Sequence, residues 1–247
     1  MPKPFPRVAK QFGKAVGQFD LINGADKILV PVDLDHPSLS LLFWLHHKSR
    51  KMPQHFVSCP VYFHSDPTPS PDLVSYLTEY AQKQEATIQF RQCSQPENKA
   101  ALLKMYINTA IELQCNKVAL VDSLDYITAM ILNNMCTQGQ FEGPPVKQEV
   151  KVESETGVQN ITIIRPFAFL TDDEIEEFAS KSELPNTPSG VHIAEDPSLS
   201  ICRAAIQHVL DESSNTRMNM FKSQYAIQRK YMGVGEESIA DVDAEDL

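Results

Sequence analysis

The sequence predicts an α/β fold with a doubly wound parallel sheet and C-terminal helices. Two observations carry this prediction: short β-branched apolar runs alternate with longer segments of helical period, and single helices separate the runs. This alternation requires right-handed crossovers, which place the strands parallel with helices on both faces. The chain has 247 residues, of which 42% are hydrophobic and 22% charged. That composition excludes collagen, coiled coil and wholesale disorder.

The elements follow in order along the chain. The predicted strands are Lys27–Val32, Phe56–Phe63, Thr87–Arg91, Lys117–Val121 and Asn160–Arg165. The predicted helices are Ser38–Lys51, Pro71–Lys83, Glu97–Leu113, Leu124–Cys136 and Thr171–Ser182, the last opening with the capping-box pattern TDDE. We assign residues 1–232 to one domain, with a leading basic helix over 1–20 and two further helices within 198–231. Residues 233–247 are predicted to form an acidic disordered tail.

Charge is distributed unevenly between the two ends of the chain. The formal net charge is −10, and the last twelve residues hold six of the acids: Glu236, Glu237, Asp241, Asp243, Glu245 and Asp246. The amino end is basic, and its cations recur at helical spacing: Lys3, Arg7, Lys10 and Lys14. One helix face could carry all four, so this face is the candidate contact for RNA or for an acidic partner protein.

The cysteine spacing and the hydropathy indicate which classes of protein the chain does not belong to. The five cysteines are scattered and form no CxxC pair, which disfavours a disulfide scaffold and a thiolate zinc site, so we expect no metal. No apolar run approaches the roughly 18 residues of a membrane span. The amino end has no apolar segment typical of a secretory signal. The prediction is a cytoplasmic protein with no membrane partner.

The loop after the first strand is the first place to look for a ligand, because doubly wound sheets bind ligands outside the carboxyl ends of their strands. It reads DLDHPS and supplies Asp33, Asp35, His36 and Ser38. A phosphate loop would want glycines and a cation. Two interpretations stay open: a hydrolytic or metal-binding group of Asp33, Asp35 and His36, or a turn in which Asp35 or Ser38 caps the next helix.

Three blocks of sequence resemble one known family. They are FGKAVGQFDLINGADKILV, NKVALVDSLDYITAMILNNMCTQGQFEGPP and ITIIRPFAFLTDDEIEEFASKSELP. Over about residues 7–232 the chain resembles the PP-loop ATP pyrophosphatases, most closely the TtcA-type tRNA 2-thiocytidine synthetases. The resemblance implies a Rossmann-like sheet of PP-loop/HUP type. It retains Asp125, Asn134, Met135, Gly139, Gly143, Pro144, Pro145, Arg165 and Pro166 at matching places.

The chain departs from this family where the family's chemistry resides. The family's SGGKDS loop is DLDHPS here, and Ser38 alone is retained. The family's later Gly-His-x-x-Asp-Asp motif keeps Asp125. Its histidine and second aspartate are replaced here by Asp122 and Tyr126. Where the family has two CxxC pairs for an iron–sulfur cluster, CSQPENK keeps only Cys93 and NTPSGVH has no cysteine. The resemblance implies nucleotide-site remnants at Asp33, Asp35, His36, Ser38, Asp125 and Arg165. We expect ATP, magnesium and the cluster to be lost.

The resulting functional prediction is a non-catalytic TtcA-like protein, a pseudoenzyme that acts as a binding or regulatory module linked to tRNA modification. The alternative is a diverged nucleotide-dependent tRNA-modifying enzyme of thiolation type. A third reading is a hydrolase that uses the Asp/His loop. Arg165 at a strand end is expected either to contact a ligand or to form a salt bridge. The expected partners are tRNA or a catalytically intact paralogue, in a homo- or hetero-oligomer.

Overall fold

The computed structural model describes residues 5–52, 55–154, 157–210 and 215–226. Six strands and eight helices lie within these ranges. The helices are α1 (Pro6–Gln18), α2 (His36–Ser49), α3 (Pro71–Lys83), α4 (Lys99–Glu112), α5 (Leu124–Gln138), α6 (Asp172–Lys181), α7 (Pro197–Leu210) and α8 (Thr216–Ala226). The strands are β1 (Lys27–Pro31), β2 (Val57–His64), β3 (Gln89–Gln92), β4 (Lys117–Ala119), β5 (Lys147–Ser154) and β6 (Gly157–Ile164).

The strands form one mixed sheet in the order β3-β2-β1-β4-β6-β5. All neighbouring pairs are parallel except β5 and β6, which are antiparallel. The predicted α/β fold with a parallel, doubly wound sheet is therefore confirmed, and one additional strand, β5, adds an antiparallel pair at the edge. β5 was not predicted, although its alternating Val150 and Val152 pack against the core, as expected for a half-buried strand.

Strand order reverses direction between β1 and β4. From β1 the chain builds outward to β2 and β3, and then returns to place β4 on the other side of β1. The loops that leave the carboxyl ends of β1 and β4 therefore diverge and open a crevice. This switch point fixes where a ligand can reach the sheet.

Helices cover both faces of the sheet, because neighbouring residues of each strand point to opposite sides. In β1, Ile28 and Val30 join the larger core cluster, which α1, α2, α3 and α6 help to form, while Leu29 joins the smaller cluster with α4. Trp44 of α2 is 1% exposed and packs against Phe178 of α6 with ring centroids 5.2 Å apart. The aromatic residues of α2 thus belong to the core.

Local signals set several helix ends. Thr171 and Glu174 form the predicted capping box at the start of α6, and Gly139 ends α5 with a φ of 65°. Of the predicted leading helix, α1 is the part that lies within the described residues. Residues 1–4 and the tail at 233–247 lie outside them. Within the described ranges, no helix is long and apolar enough to cross a membrane.

Candidate functional site

A cavity of about 350 Å³ opens at the carboxyl edge of the sheet, between the loops that follow β1 and β4. Its walls are largely apolar and include Phe63, Leu102, Leu103 and Val121. Polar side chains enter from several elements, among them Asp33, Asp35, Ser38, Lys99, Asp122 and Arg165. The volume lies in the lower part of the roughly 300–1,000 Å³ range of small-molecule sites. We call this the switch-point cavity.

The DLDHPS loop satisfies its own backbone with carboxylate and hydroxyl groups. Asp35 is the N-cap of α2, and its carboxylate accepts a hydrogen bond of 2.8 Å from the Ser38 amide. The Ser38 hydroxyl accepts a bond of 2.9 Å from the Asp33 amide. The capping interpretation of this loop is therefore confirmed for Asp35. Because an anion at a helix N-terminus needs these same amides, the Asp35 carboxylate stands where a phosphate would bind.

Asp33 holds a second segment over the cavity. Its Oδ2 accepts a hydrogen bond of 2.9 Å from the Gly190 amide, and its Oδ1 accepts one of 3.1 Å from the Ser189 amide. Residues 186–193, which we call the strap, contribute five residues to the lining: Pro188, Gly190, Val191, His192 and Ile193. A Cβ on Gly190 would lie 2.9 Å from the Phe63 carbonyl oxygen and 3.0 Å from Asp33 Oδ2. Only glycine allows the strap to approach this closely.

His36 does not join the two aspartates. Its Nδ1 lies 2.6 Å from Glu176 Oε2 and its Nε2 lies 3.0 Å from the Leu184 carbonyl oxygen. Both ring nitrogens therefore contact α6 and the residues just after it, and His36 is not part of the cavity lining. The proposed hydrolytic or metal-binding group of Asp33, Asp35 and His36 is not assembled, because the imidazole anchors α2 to α6.

Arg165 at the end of β6 forms a buried salt bridge. Its Nε donates to Asp122 Oδ2 at 2.7 Å, and its Nη1 donates to the Pro145 carbonyl at 2.7 Å. The side chain is 6% exposed. The salt-bridge interpretation of Arg165 is therefore confirmed. Arg165 and Asp122 also both line the cavity. Their opposite charges largely cancel there.

Asp125, the retained aspartate of the later motif, lies outside the switch-point cavity. Its Oδ2 accepts a hydrogen bond of 2.7 Å from the Asp172 amide at the start of α6, and Oδ1 forms an ion pair with Arg217 of α8. Burial raises the pKa of Asp125. This aspartate joins α5 to α6 and α8, so its geometry is that of a structural link rather than of a nucleotide ligand.

Two regions of the cavity differ in charge, and two residues of its lining, Lys99 and Tyr106, are not among the predicted site residues. Lys99 Nζ lies 3.3 Å from the Tyr126 hydroxyl and 4.4 Å from that ring's centroid. At the other end, burial together with the charges of Asp35 and Asp33 raises the pKa of Tyr106 well above its usual range. Lys99 and Tyr106 share the face of α4 that Leu102 and Leu103 continue, a spacing of i, i+3, i+4 and i+7 that marks one helix face.

The two segments that correspond to the family's cysteine pairs do meet in space. Gln95 Nε2 donates a 2.6 Å hydrogen bond to the His192 carbonyl, which joins the CSQPENK segment to the strap. These segments bring one thiol, that of Cys93, and burial raises its pKa. An iron–sulfur cluster requires several closely spaced thiolates. The donor set does not fit such a cluster, and the described residues contain no group of three or more metal-ligating side chains.

The donor set does not fit a triphosphate either. The amide at the start of α2 and the amides of the strap already bind the carboxylates of Asp35 and Asp33. Both acids would repel phosphate oxygens across the same cavity. The loop has no glycine or lysine, and its Ser38 amide already binds a carboxylate, so it lacks groups that phosphate binding needs.

The basic face of α1 is partly occupied by contacts within the chain. Arg7 forms an ion pair with Glu174 although its own side chain is 77% exposed. Lys14 Nζ lies 5.0 Å from the centroid of the Phe169 ring, and Lys10 is exposed. Lys3 lies outside the described residues. The described cations thus lie on α1 as predicted, with Lys10 the least engaged.

Comparison with known proteins agrees with the resemblance seen in the sequence. No family model matches the chain. It is 28% identical over 199 residues to the tRNA-cytidine(32) 2-sulfurtransferase of Paraburkholderia phymatum, covering 75% of this chain and 57% of that protein. It is 25% identical over 206 residues to the protein of the same name from Syntrophotalea carbinolica, covering 75% and 74% respectively. The chain thus spans a little over half of the length of the first relative.

A solved structure shares the fold. The U34-tRNA thiolase NcsA from Methanococcus maripaludis, solved with its 4Fe-4S cluster, superposes with a TM-score of 0.66 at 13% sequence identity. The match covers 94% of this chain and 80% of that one. Together with the relatives above, it confirms both the resemblance and the predicted α/β fold.

Proposed function

We propose that this chain, which is similar to the TtcA-type tRNA sulfurtransferases of the PP-loop superfamily, acts in tRNA modification of the thiolation type. One observation carries the proposal: proteins named as tRNA sulfurtransferases match 75% of the chain, and the matched region keeps an open cavity at the switch point of its sheet. Ligands in doubly wound sheets bind at this position.

The first form of the proposal is a tRNA-modifying enzyme that binds its nucleotide in a diverged way. The relatives' names favour this form over a protein without catalysis. Its cavity keeps an apolar wall for a base and the paired Arg165 and Asp122 at one side. In this form the DLDHPS loop closes the cavity, while a nucleotide is held by other residues.

The second form is a non-catalytic TtcA-like module, and the chemistry of the loop favours it. Asp33 and Asp35 occupy the amides that a phosphate would need. The residues present supply no cluster of thiolates for sulfur chemistry of the kind the relatives' family performs. A module of this kind would bind tRNA or a catalytically intact paralogue without altering the RNA.

Nucleoside analysis of tRNA separates the two forms. The full chain is incubated with total tRNA, magnesium-ATP and a persulfide sulfur donor, and filter binding measures tRNA retention in parallel. A new thionucleoside supports the enzyme. Retention of tRNA at about 50 mM salt without a thionucleoside supports the module, and its log–log salt slope counts phosphate contacts at about 0.7–0.9 each. Loss of both signals refutes the enzyme and the tRNA-binding form of the module.

Calorimetric titration with magnesium-ATP provides a second test. We expect no low-micromolar binding, since that would require about 8 kcal/mol of binding free energy from a loop that has no lysine and whose Ser38 amide already binds Asp35. Replacing Asp33 and Asp35 with glycine and His36 with lysine should raise ATP affinity. The double change Asp33→Asn and Asp35→Asn is the matched control, because it removes the two charges while asparagine still caps a helix.

A further inference from the structure

Two cysteines lie together at the amino edge of the sheet, where its parallel strands begin, opposite to the edge that carries the switch-point cavity. Cys59 is the third residue of β2 and stands in register with Leu29 of β1. Cys115 lies two residues before the start of β4. From Cys59, β2 runs on to its carboxyl end at His64, about 15 Å away at 3.3 Å per residue. The two thiols therefore form a site separate from the cavity.

The two side chains meet on one face of the sheet. Because residues in register on parallel strands point the same way, Cys59 lies on the face of Leu29, which packs with α4. Cys115 reaches this face through the turn that ends α4: Gln114 has a φ of 55°, and the Cys115 amide donates to the Ala110 carbonyl at 2.7 Å. Both cysteines join the smaller core cluster. The Cys115 thiol donates a hydrogen bond to the Cys59 sulfur.

The two thiols differ in access and in chemical character. Cys59 is partly exposed, whereas Cys115 is 3% exposed. The hydrogen bond from Cys115, together with the nearby Lys27 ammonium, lowers the pKa of Cys59 to about 7. The same hydrogen bond and burial raise the pKa of Cys115 well above its usual range. An accessible thiolate beside a shielded second thiol is the arrangement found in redox-sensitive cysteine pairs.

We propose that Cys59 and Cys115 form a peroxide-sensitive thiol pair that closes to a disulfide at the amino edge of the sheet. This modification site is independent of the proposed function, because neither cysteine lines the switch-point cavity. The bridge would join β2 to the turn between α4 and β4. Its oxidant is hydrogen peroxide, which is small enough to reach a partly exposed thiolate, and a small thiol reductant would reverse it.

The reaction has two steps. The Cys59 thiolate attacks hydrogen peroxide, so that an S–O bond forms, the O–O bond breaks, and the leaving hydroxide recovers the proton that Cys59 had released. The Cys115 sulfur then attacks the Cys59 sulfenic acid. An S–S bond forms, the S–O bond breaks, and the Cys115 proton leaves with the hydroxide as water. The thiol pair loses two electrons and two protons, and the peroxide is reduced to two waters.

Peptide mapping of the full chain tests the pairing directly. The reduced protein is treated with equimolar hydrogen peroxide at pH 7.5, free thiols are blocked with N-ethylmaleimide, and the digest is analysed by mass spectrometry without reduction. We expect the first cross-linked product to join the Cys59 and Cys115 peptides, with two of the five thiols lost. The oxidised chain should also melt at a higher temperature than the reduced chain, because the bridge closes a long loop.

Two substitutions of Cys115 separate its roles as hydrogen-bond donor and as second thiol. Cys115→Ser keeps a donor, so the pH midpoint for alkylation of Cys59 should stay near 7, while peroxide should leave a Cys59 sulfenic acid that dimedone traps. Cys115→Ala also removes the donor, and the midpoint should rise towards the ordinary cysteine value of about 8.5. Cys93→Ser, at another partly exposed cysteine, is the matched control and should cross-link as the parent does. Thermal melting confirms that each variant is folded.

Three results would overturn the inference. The first is oxidation of the exposed Cys136 before Cys59. The second is a first cross-link between another pair, such as Cys136 and Cys202, and the third is survival of both Cys59 and Cys115 as thiols in excess peroxide. An alkylation midpoint that stays near 7 in Cys115→Ala would likewise show that Cys115 does not activate Cys59.

Discussion

Replacing Asp33 with alanine should release the strap from the mouth of the switch-point cavity. Asp33 accepts hydrogen bonds from the amides of Leu34, Ser189 and Gly190 at 2.7–3.1 Å. A hydrogen bond to a charged group contributes about 1.5–3 kcal/mol. The Ser189 amide is exposed and recovers water, and the Leu34 bond is local. The Gly190 bond is the one that remains, so we expect a net loss of about 1.5–3 kcal/mol in the free energy that holds the strap closed.

Hydrogen exchange measured by mass spectrometry reports this opening directly. Peptides covering residues 186–193 should exchange faster in Asp33→Ala, whereas those from β1 and β4 should keep their protection. Asp72→Ala, which removes an exposed carboxylate from α3, is the control and should leave the strap unchanged. Unaltered strap exchange in Asp33→Ala would show that the other contacts of the strap hold it closed.

Gly190→Ala should disrupt the same contact between Asp33 and Gly190 by a change in the strap. The added Cβ would stand 3.0 Å from Asp33 Oδ2 and 2.9 Å from the Phe63 carbonyl oxygen, so the strap must move away. Because both substitutions break one interaction, their effects on urea unfolding should fall short of additivity in the double variant. If the two losses in unfolding free energy were fully additive, the substitutions would not act on one shared interaction between Asp33 and Gly190.

Three further outcomes are expected. Lys117→Met should lower the free energy of unfolding in urea by about 3–5 kcal/mol, because it leaves the buried Asp26 carboxylate without its cation. In the parent protein Lys117 Nζ lies 2.7 Å from Asp26 Oδ2, and each side chain is 6% exposed. A loss below about 1 kcal/mol would contradict this. Burial lowers the pKa of His46. The stability that the neutral His46 contributes is therefore lost as the pH falls below the pKa of about 6.5 that histidine has in the unfolded chain. Between pH 7.5 and 5.5 the thermal midpoint should drop more in the parent protein than in His46→Phe. A hydrogen bond from Cys115 lowers the pKa of Cys59 to about 7, whereas burial raises the pKa of the similarly half-buried Cys93. Iodoacetamide at pH 7.5 should therefore label Cys59 before Cys93, and equal labelling of the two would refute this.

The positions of most strands could be predicted from the sequence, because the central strands of the sheet are buried on both faces. Continuous apolar runs such as that of β1 have few alternatives in a chain of this composition. β5 was missed for a physical reason. It is an edge strand in which charged residues (Glu149, Lys151 and Glu153) alternate with Val150 and Val152. A signal of two alternating valines is weak without the partner strand that pairs with it.

The site was readable only in part. Asp35 could be assigned to a helix cap because capping depends on local spacing. The roles of Asp33 and His36 could not, since their partners, Gly190 and Glu176, lie more than 130 residues away in sequence. Lys99 was missed because it is one charged residue at a helix start, and only the meeting of α4 with the loops after β1 and β4 makes it part of a cavity.

The same contacts explain why the loop is stable without glycine or lysine. An empty phosphate loop leaves amides to be satisfied by water or by a ligand. Here Asp35 satisfies the start of α2 and Asp33 satisfies the strap, so the loop is complete without an anion. His36 adds contacts to Glu176 and Leu184. Substitutions that restore phosphate binding must therefore replace the contacts of Asp33, Asp35 and His36. Glycine in place of Asp35 at the N-cap costs only a few tenths of a kcal/mol. Most of the loss in stability should therefore come from the changes at Asp33 and His36.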